Sequence, residues 1–356
     1  MEFSTKDTKV VKGIAIMLMI YHHLFTFPDR MPNNVLPISL FTIAGNTISY
    51  WIGSFGKLCV ALFIFLAGYG TYISARNTNQ TENAFITNKL RKLYIIYWKV
   101  FIIFIPICML LNISPVSKDI ETLIWNFLGI NVSYNGEWWF FTPYVFLIIL
   151  FPITKKILGS KDSFWQDIII ILSLTTLIRY IIPTFGSYQW GSNLNNSLFW
   201  VKLIQALDLL PSFLIGCICA KYNLFSKAKE KFRSNNINSL LALLIMFIIF
   251  YMRKRTGIVY DYIYAPIFTI SSIIFLNNSF LSFLYTLFEK IGNESTIIWL
   301  THSFYCYMIC PQLVYYPRFS ILIAIWLCFI CYLTSKGINL LYNSLNKIRL
   351  KKIENT

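Results

Sequence analysis

Three histidines are the side chains of this sequence that titrate near neutral pH, and two of them are adjacent in an apolar segment. This segment is VKGIAIMLMIYHHLF, residues 11–25, with Lys12 near its start and His22 and His23 near its end. On an α-helix, the step from Lys12 to His23 corresponds to about 1100° of rotation and about 16 Å of rise, so the two side chains share a face. If the segment crosses a membrane, His23 lies deep inside it, where ionisable side chains usually mark a functional site.

Proton transfer is the chemistry that this pattern favours, with His23 as the general base. A hydrogen bond to a neighbouring helix is the alternative role for His23. His22 points about 100° away; we include it among the predicted catalytic residues as an orienter of His23, with a structural role as the alternative.

The third histidine, His302, lies in the segment KIGNESTIIWLTHSF, residues 290–304. A helix capped near Ser295 would carry it to a depth of about 10 Å, similar to that of His23. The two histidines therefore suggest one buried catalytic site. No metal is expected, because no carboxylate or cysteine stands at ligand spacing beside either histidine.

The composition places these segments in a membrane. Hydrophobic residues make up 56% of the chain and charged residues only 13%, against about 25% charged residues in soluble proteins. We therefore predict an all-α, polytopic membrane protein with about ten transmembrane helices, forming one domain over residues 1–356 with no appended soluble domain. Residues 119–130 are predicted to lie at the interface. The predicted spans are 11–27, 57–76, 93–111, 138–158, 165–183, 199–220, 237–252, 262–277, 296–314 and 319–342.

The net charge of +16 is explained by topology. With both termini cytoplasmic, 20 of the 31 lysines and arginines fall on the cytoplasmic side, as the positive-inside rule requires. This distribution argues against a nucleic-acid partner. One loop runs against the rule, because residues 253–255 are all basic and fall outside. Either the flanking spans are wrong or this loop has a local function.

Four segments together resemble a known family. KGIAIMLMIYHH places a basic residue ten positions before a pair of histidines, and LFIFLAGYG, FITNKLRKLYIIYW and IGNESTIIWLTH follow in order. In this order and spacing they resemble acyltransferase family 3, integral membrane proteins with about ten spans. The family usually has arginine where this chain has Lys12. An aspartate common three residues earlier is replaced by Lys9, with Asp7 nearby.

The resemblance implies an acyl donor, acetyl-CoA or a similar acyl-CoA, on the cytoplasmic side. Its phosphates would be held at the basic rim of the membrane domain, and its thioester would reach His23. His23 would then act as general base on the acceptor hydroxyl, or form an acyl-histidine intermediate, while His302 would orient it or stabilise the developing charge. The candidate phosphate ligands are Lys12, Lys89, Arg91 and Lys92, which as topology residues would equally mark the cytoplasmic side.

The resemblance further implies an acceptor from outside, a hydroxyl of a surface polysaccharide or lipid-linked sugar. Glu137, Trp138 and Trp139 in the segment NGEWWFFTPY could bind it, since aromatic faces suit sugar rings and a carboxylate accepts hydroxyl hydrogen bonds. An interfacial aromatic belt explains the two tryptophans equally well. Separately, Arg179 and Asp208 are predicted to form a structural ion pair between helices.

The resemblance therefore predicts an O-acyltransferase of the cell membrane. Its expected partners are the glycan acceptor and membrane lipid, and a homo-oligomer is left open. The competing hypotheses are a transporter of polysaccharide or lipid-linked sugar and a scaffold subunit of a synthase complex. A transporter often shows paired repeats and broken helices, and the sequence shows neither.

Overall fold

The fold is almost entirely helical in the computed structural model, which describes residues 3–32, 35, 37–159, 163–186, 198–232 and 235–354. The helices of the first half are α1 (Thr5–Phe25), α2 (Ile48–Gly56), α3 (Leu58–Arg76), α4 (Glu82–Leu110), α5 (Ile120–Phe127), α6 (Phe141–Ile149), α7 (Phe151–Gly159) and α8 (Phe164–Gly186). Those of the second half are α9 (Leu198–Lys221), α10 (Leu224–Lys231), α11 (Asn236–Thr256), α12 (Asp261–Leu276), α13 (Ser282–Asn293), α14 (Ser295–Ser303), α15 (Pro311–Tyr315) and α16 (Ser320–Glu354). The all-α prediction is confirmed.

Shorter elements join these helices. Two-residue strands, Thr42–Ile43 and Asn46–Thr47, form an antiparallel hairpin. Short 3-10 turns occupy Pro28–Arg30, Gly136–Phe140 and Ser279–Leu281. A π-helix over Phe304–Ile309 continues α14.

The ten predicted spans all fall on helical segments, but the helices differ in their ability to cross a membrane. Five are long and apolar enough within the described ranges: Ile48–Arg76, Glu82–Leu110, Leu198–Lys221, Asn236–Thr256 and Ser320–Leu345. The number is seven if two bent helix pairs each count as one span. These pairs are Gly136–Ile149 with Phe151–Leu158, bent by 48°, and Asp261–Leu276 with Ser279–Asn293, bent by 96°. A multi-pass membrane protein follows, while the total of ten and the side of each terminus stay predictions.

Helix α1 is the centre of the fold. It packs against α2, α3, α13, α14 and α16, and fully buried residues such as Val10, Ala15 and Ile20 occur around its circumference. A helix that is apolar on all sides is stable only when other apolar surfaces surround it. The chain begins α1 with a capping box, in which the Ser4 hydroxyl and the Asp7 carboxylate satisfy each other's backbone N–H groups.

Asp7 ties the start of α1 to two other helices. Its buried carboxylate accepts hydrogen bonds from the Lys229 ammonium on α10 at 2.8 Å and the Tyr285 hydroxyl on α13 at 3.0 Å. A buried carboxylate is tolerated only when paired and hydrogen-bonded. The residue nearest to the expected acidic position before Lys12 therefore has a structural role at this end of α1.

The prediction that residues 253–255 form a loop is wrong, because α11 continues to Thr256 and includes them. Arg253 is buried and forms two hydrogen bonds to the Asp261 carboxylate, at 2.7 and 2.9 Å, and one to the Ser54 carbonyl at 2.8 Å. Lys254 lies over the Trp51 ring at 3.7 Å. The sequence alone could not show this, because a basic residue that is paired in the fold cannot be told from one that faces solvent. The expected pair of Arg179 and Asp208 is present, with a distance of 3.1 Å between Nη1 and Oδ1.

The segment LFIFLAGYG serves a close helix crossing. A methyl group at Gly68 of α3 would overlap the Phe213 carbonyl of α9, and one at Gly216 would overlap the Phe65 carbonyl of α3. Small residues at such crossings allow two membrane helices to approach closely and gain van der Waals contact. This crossing holds α3, which forms part of the site described below.

We expect Gly216→Ala to destabilise the protein by about 1–3 kcal/mol, because the added methyl group must push two backbones apart. Gly70→Ala is the matched control on α3, since no atom lies within 4 Å of the added methyl group. Thermal unfolding of both variants in detergent checks the difference. Equal melting temperatures would show that this crossing is not close-packed.

Candidate active site

A cavity of about 390 Å³ extends along one face of α1. Lys12 lies at one end of it, together with Ser295 and Thr296 at the start of α14. His23 lines it further along α1, and Arg30 lies beyond the helix. Cavities of about 300–1,000 Å³ with mostly apolar walls and few polar groups are typical of small-molecule sites. The apolar part of the wall includes Met19, Phe27, Val60, Phe63, Leu93, Trp139, Phe140, Phe141 and Trp299.

His23, which lines this cavity, packs against His302, which is not among the lining residues. Their ring centroids are 4.8 Å apart, and His302 is fully buried. The Nδ1–H group of His302 donates to the Trp299 carbonyl at 2.6 Å, which assigns the lone pair to its Nε2 atom. This Nε2 atom is buried and has no hydrogen-bond partner among the described residues. A buried acceptor without a partner is costly, and this one lies beside the His23 ring.

Glu137 lies on the other side of His23. One of its carboxylate oxygens is 3.3 Å from the His23 Nδ1 atom, within ion-pair distance but not aligned as a hydrogen bond. The other accepts a hydrogen bond of 2.8 Å from Arg30 Nη1. A carboxylate at Nδ1 favours the tautomer with the proton on Nδ1 and the lone pair on Nε2. The arrangement therefore suits His23 to accept a proton at Nε2.

Arg30 supports this arrangement from outside the end of α1. Partial burial lowers the pKa of Arg30, but the Glu137 carboxylate and the Tyr307 hydroxyl together raise it by more, so the pKa is raised overall. The guanidinium group also lies over the Phe27 ring, 4.3 Å from its centroid. Arg30 thus remains charged beside Glu137. One feature of the sequence indicates that Arg30 lies near His23: it is seven residues further on and would share the same face of a continued helix.

Three hydrogen bonds position Glu137 against α14. The Asn135 side chain donates to the Ser303 hydroxyl at 2.8 Å, next to His302. The Trp138 indole donates to the Leu300 carbonyl at 3.0 Å, and the Trp299 indole donates to the Glu137 carbonyl at 3.2 Å. The turn that carries Glu137 is thereby joined to the helix that carries His302.

Two tyrosines complete the end of α1. The last carbonyls of a helix have no partner within it, and here the Tyr307 hydroxyl donates to the His23 carbonyl and the Tyr315 hydroxyl to the Leu24 carbonyl. Tyr307 lies in the π-helix, an irregularity often found at functional sites. Sequence reasoning missed both tyrosines, because nothing in their spacing connects them to α1.

His22 faces α2 instead of His302. Its Nδ1 atom lies 2.9 Å from the Gly53 carbonyl and 3.2 Å from the Thr26 hydroxyl. Its ring packs edge-on to that of His23 at 5.3 Å between centroids. This position agrees with a structural or orienting role, and a direct catalytic role for His22 stays a prediction.

The predicted donor-binding residues separate in the structure. Lys12 lines the cavity, whereas the half-buried Lys89 donates to the Thr71 hydroxyl at 2.6 Å. Arg91 and Lys92 are exposed on α4 and do not line the cavity. The cavity therefore offers Lys12 alone of these four cations.

The predicted acceptor-binding residues separate as well. Glu137 and Trp139 line the cavity. Trp138 does not, because it is fully buried in a core of aromatic rings and its N–H group is committed to Leu300. We therefore assign Trp138 to the core. Lys57, which the sequence reasoning did not select, lines the cavity between α2 and α3.

The fold and site define a multi-pass membrane protein with a buried histidine pair. A comparison with protein-family models matches residues 7–336 to the acyltransferase domain of family 3. The chain belongs to this family and is a membrane acyltransferase. Comparisons with curated proteins and with solved structures find no match. Family membership favours the enzyme over the transporter hypothesis.

We expect Trp138→Phe to lower stability by about 1–2 kcal/mol, because it removes a buried hydrogen bond and leaves a gap in the core. Trp139→Phe should cost less, since Trp139 is only half-buried and lines the cavity. Denaturation of both variants, followed by tryptophan fluorescence, measures the difference. A larger loss for Trp139→Phe would contradict the assignment of Trp138 to the core.

Proposed function

We propose that this acyltransferase moves an acetyl group from cytoplasmic acetyl-CoA to a hydroxyl of a surface polysaccharide or lipid-linked sugar on the opposite side of the cell membrane. The single observation that carries the proposal is the cavity that joins Lys12 to His23, Glu137 and Arg30. On this proposal, the donor and the acceptor approach the same histidine from opposite ends of this cavity.

Lys12 is the proposed contact for the donor phosphates. Its ammonium group is a compact point charge that can bind a phosphate, although without the paired hydrogen bonds that arginine would give. The distance from Lys12 to His23 along α1 is about 16 Å, comparable with an extended pantetheine arm. A phosphate at Lys12 would therefore leave the thioester near His23.

The proposed chemistry is a direct transfer with His23 as general base. The lone pair of His23 Nε2 takes the proton of the acceptor hydroxyl as its oxygen attacks the thioester carbonyl. A carbon–oxygen bond forms, the carbon–sulfur bond breaks, and the proton passes from His23 to the leaving thiolate. Glu137 holds the imidazole and stabilises its protonated form, and His302 is proposed to orient His23 or to stabilise the developing charge.

A two-step route through His23 is the alternative mechanism. In it the imidazole itself attacks the thioester, coenzyme A leaves as the thiol, and the acceptor hydroxyl then displaces the acetyl group from the ring. Both routes require His23 and the same overall bond changes. They differ in whether acetyl-labelled protein accumulates before an acceptor is added.

Replacing His23 tests the proposed base. We expect His23→Ala to lower acetyl-CoA cleavage by about 10²–10⁴-fold, the range expected for loss of general base catalysis. The measurement is thiol release from acetyl-CoA by purified protein, with folding monitored by gel filtration and melting temperature. Tyr21→Phe, two residues away on α1, is the control and should cleave at the original rate. Full cleavage by folded His23→Ala would show that another residue is the base.

Replacing Lys12 tests the donor end. We expect Lys12→Ala to weaken acetyl-CoA binding by about 10-fold, because one charge-assisted hydrogen bond to phosphate is lost. Titration calorimetry with wild type, Lys12→Ala and Lys12→Arg measures this, and the arginine variant should bind at least as tightly as wild type. Lys6→Ala is the matched control, since Lys6 is exposed on the first turn of the same helix. An equal loss for Lys6→Ala would indicate a general effect of charge instead of a site.

A further inference from the structure

Lys57 is a cation inside a candidate membrane span. It joins α2 to α3 within the span Ile48–Arg76, about 13 Å along the helix from Ile48. Its side chain is exposed to the cavity. Charged side chains within membrane spans are expensive and are usually retained for a function, so the ammonium group of Lys57 requires a partner.

The nearby carboxylates are already committed. Asp261 forms two hydrogen bonds with Arg253, and Glu137 is shared by Arg30 and His23. Within the described ranges, no carboxylate lies within 4 Å of the Lys57 ammonium. Among the described residues, Lys57 therefore acts on the Asp261 carboxylate only at longer range and has no ion-pair partner of its own.

Lys57 lies at the level of the histidine site. The residue before it, Gly56, packs against the turn of α1 that contains Leu18 and His22. His22, His23 and Lys57 all line the same cavity. A ligand held by Lys57 would thus lie beside the proposed base and away from the Lys12 end of the cavity.

The position of Lys57 also argues against a role that only fixes the orientation of the helix in the membrane. At the predicted outer half of the membrane, the positive-inside rule disfavours lysine. Lys254, at the same end of the fold, is already stacked on Trp51, and Arg253 is paired. Lys57 has no such structural use among the described residues.

We infer that Lys57 forms a subsite for an acidic group, so that the acceptor is an anionic glycan. This inference rests on the proposed function and names its acceptor class. The acidic group is a carboxylate or a phosphate on the sugar that carries the acetylated hydroxyl, or on its neighbour. Lys57 binds this group by a charge-assisted hydrogen bond, and the hydroxyl then lies at His23.

The test uses two matched pairs of probes with the full chain in nanodiscs of zwitterionic lipid. Trigalacturonic acid is compared with its neutral methyl ester, and glucose 1-phosphate with methyl glucoside. Dissociation constants are measured by titration calorimetry for wild type, Lys57→Gln, Lys57→Met and Lys57→Arg. Lys254→Gln is the matched control, since Lys254 does not line the cavity. Melting temperatures report folding, and two neutral replacements guard against one that fails to fold.

We expect at least one acidic probe to bind about 10-fold more tightly than its neutral counterpart. This advantage should disappear in Lys57→Gln and Lys57→Met, persist in Lys57→Arg and Lys254→Gln, and shrink as salt is raised. The pair that responds identifies the group as carboxylate or phosphate. If neither acidic probe binds more tightly, including the case of no binding, or if the advantage survives without Lys57, the inference is overturned.

Acetyl-CoA cleavage in the same preparations separates this inference from the proposed function. Cleavage that depends on His23 without any advantage for an acidic probe would leave acyl transfer intact and exclude the anionic acceptor. The opposite result, an acidic advantage that depends on Lys57 without binding or cleavage of acetyl-CoA, would retain the subsite and remove the proposed donor.

Discussion

A polar group buried in a protein interior has no water to bond with and must find its partner within the protein. This constraint explains how the histidine site is built. The end of α1 carries carbonyls that the helix cannot satisfy, and Tyr307 and Tyr315 bind two of them. The same contacts place His23 against His302. The requirement to satisfy the end of a helix therefore also assembles the reactive groups.

The same requirement for a partner applies to Glu137, which lies beside His23. The Glu137 carboxylate beside His23 would be costly to bury alone, and Arg30 provides its opposite charge at 2.8 Å. The turn that carries Glu137 is in turn joined to α14 through Asn135 and Trp138. Positioning groups that are rigidly supported in this way hold a catalytic geometry better than groups on free loops.

The sequence predicted those features that depend on local pattern. Helical periodicity placed Lys12 and His23 on one face, and depth along two helices indicated that His302 would be near His23. Features that depend on contacts between distant segments could not be predicted in the same way. Trp138 was expected to face a sugar because adjacent tryptophans look alike in sequence, yet only Trp139 lines the cavity. Arg253 was expected in a loop because its partner Asp261 lies on the next helix.

A reaction at His23 requires that water be excluded from both ends of the cavity. On the proposed function, a thioester that reaches His23 from the Lys12 end would fill the apolar stretch between them and keep water from that side. An anionic acceptor held by Lys57 would occupy the other end of the cavity. Occupation of both ends would then suppress hydrolysis. On the proposed function, the selectivity of the acceptor end therefore also protects the thioester from hydrolysis.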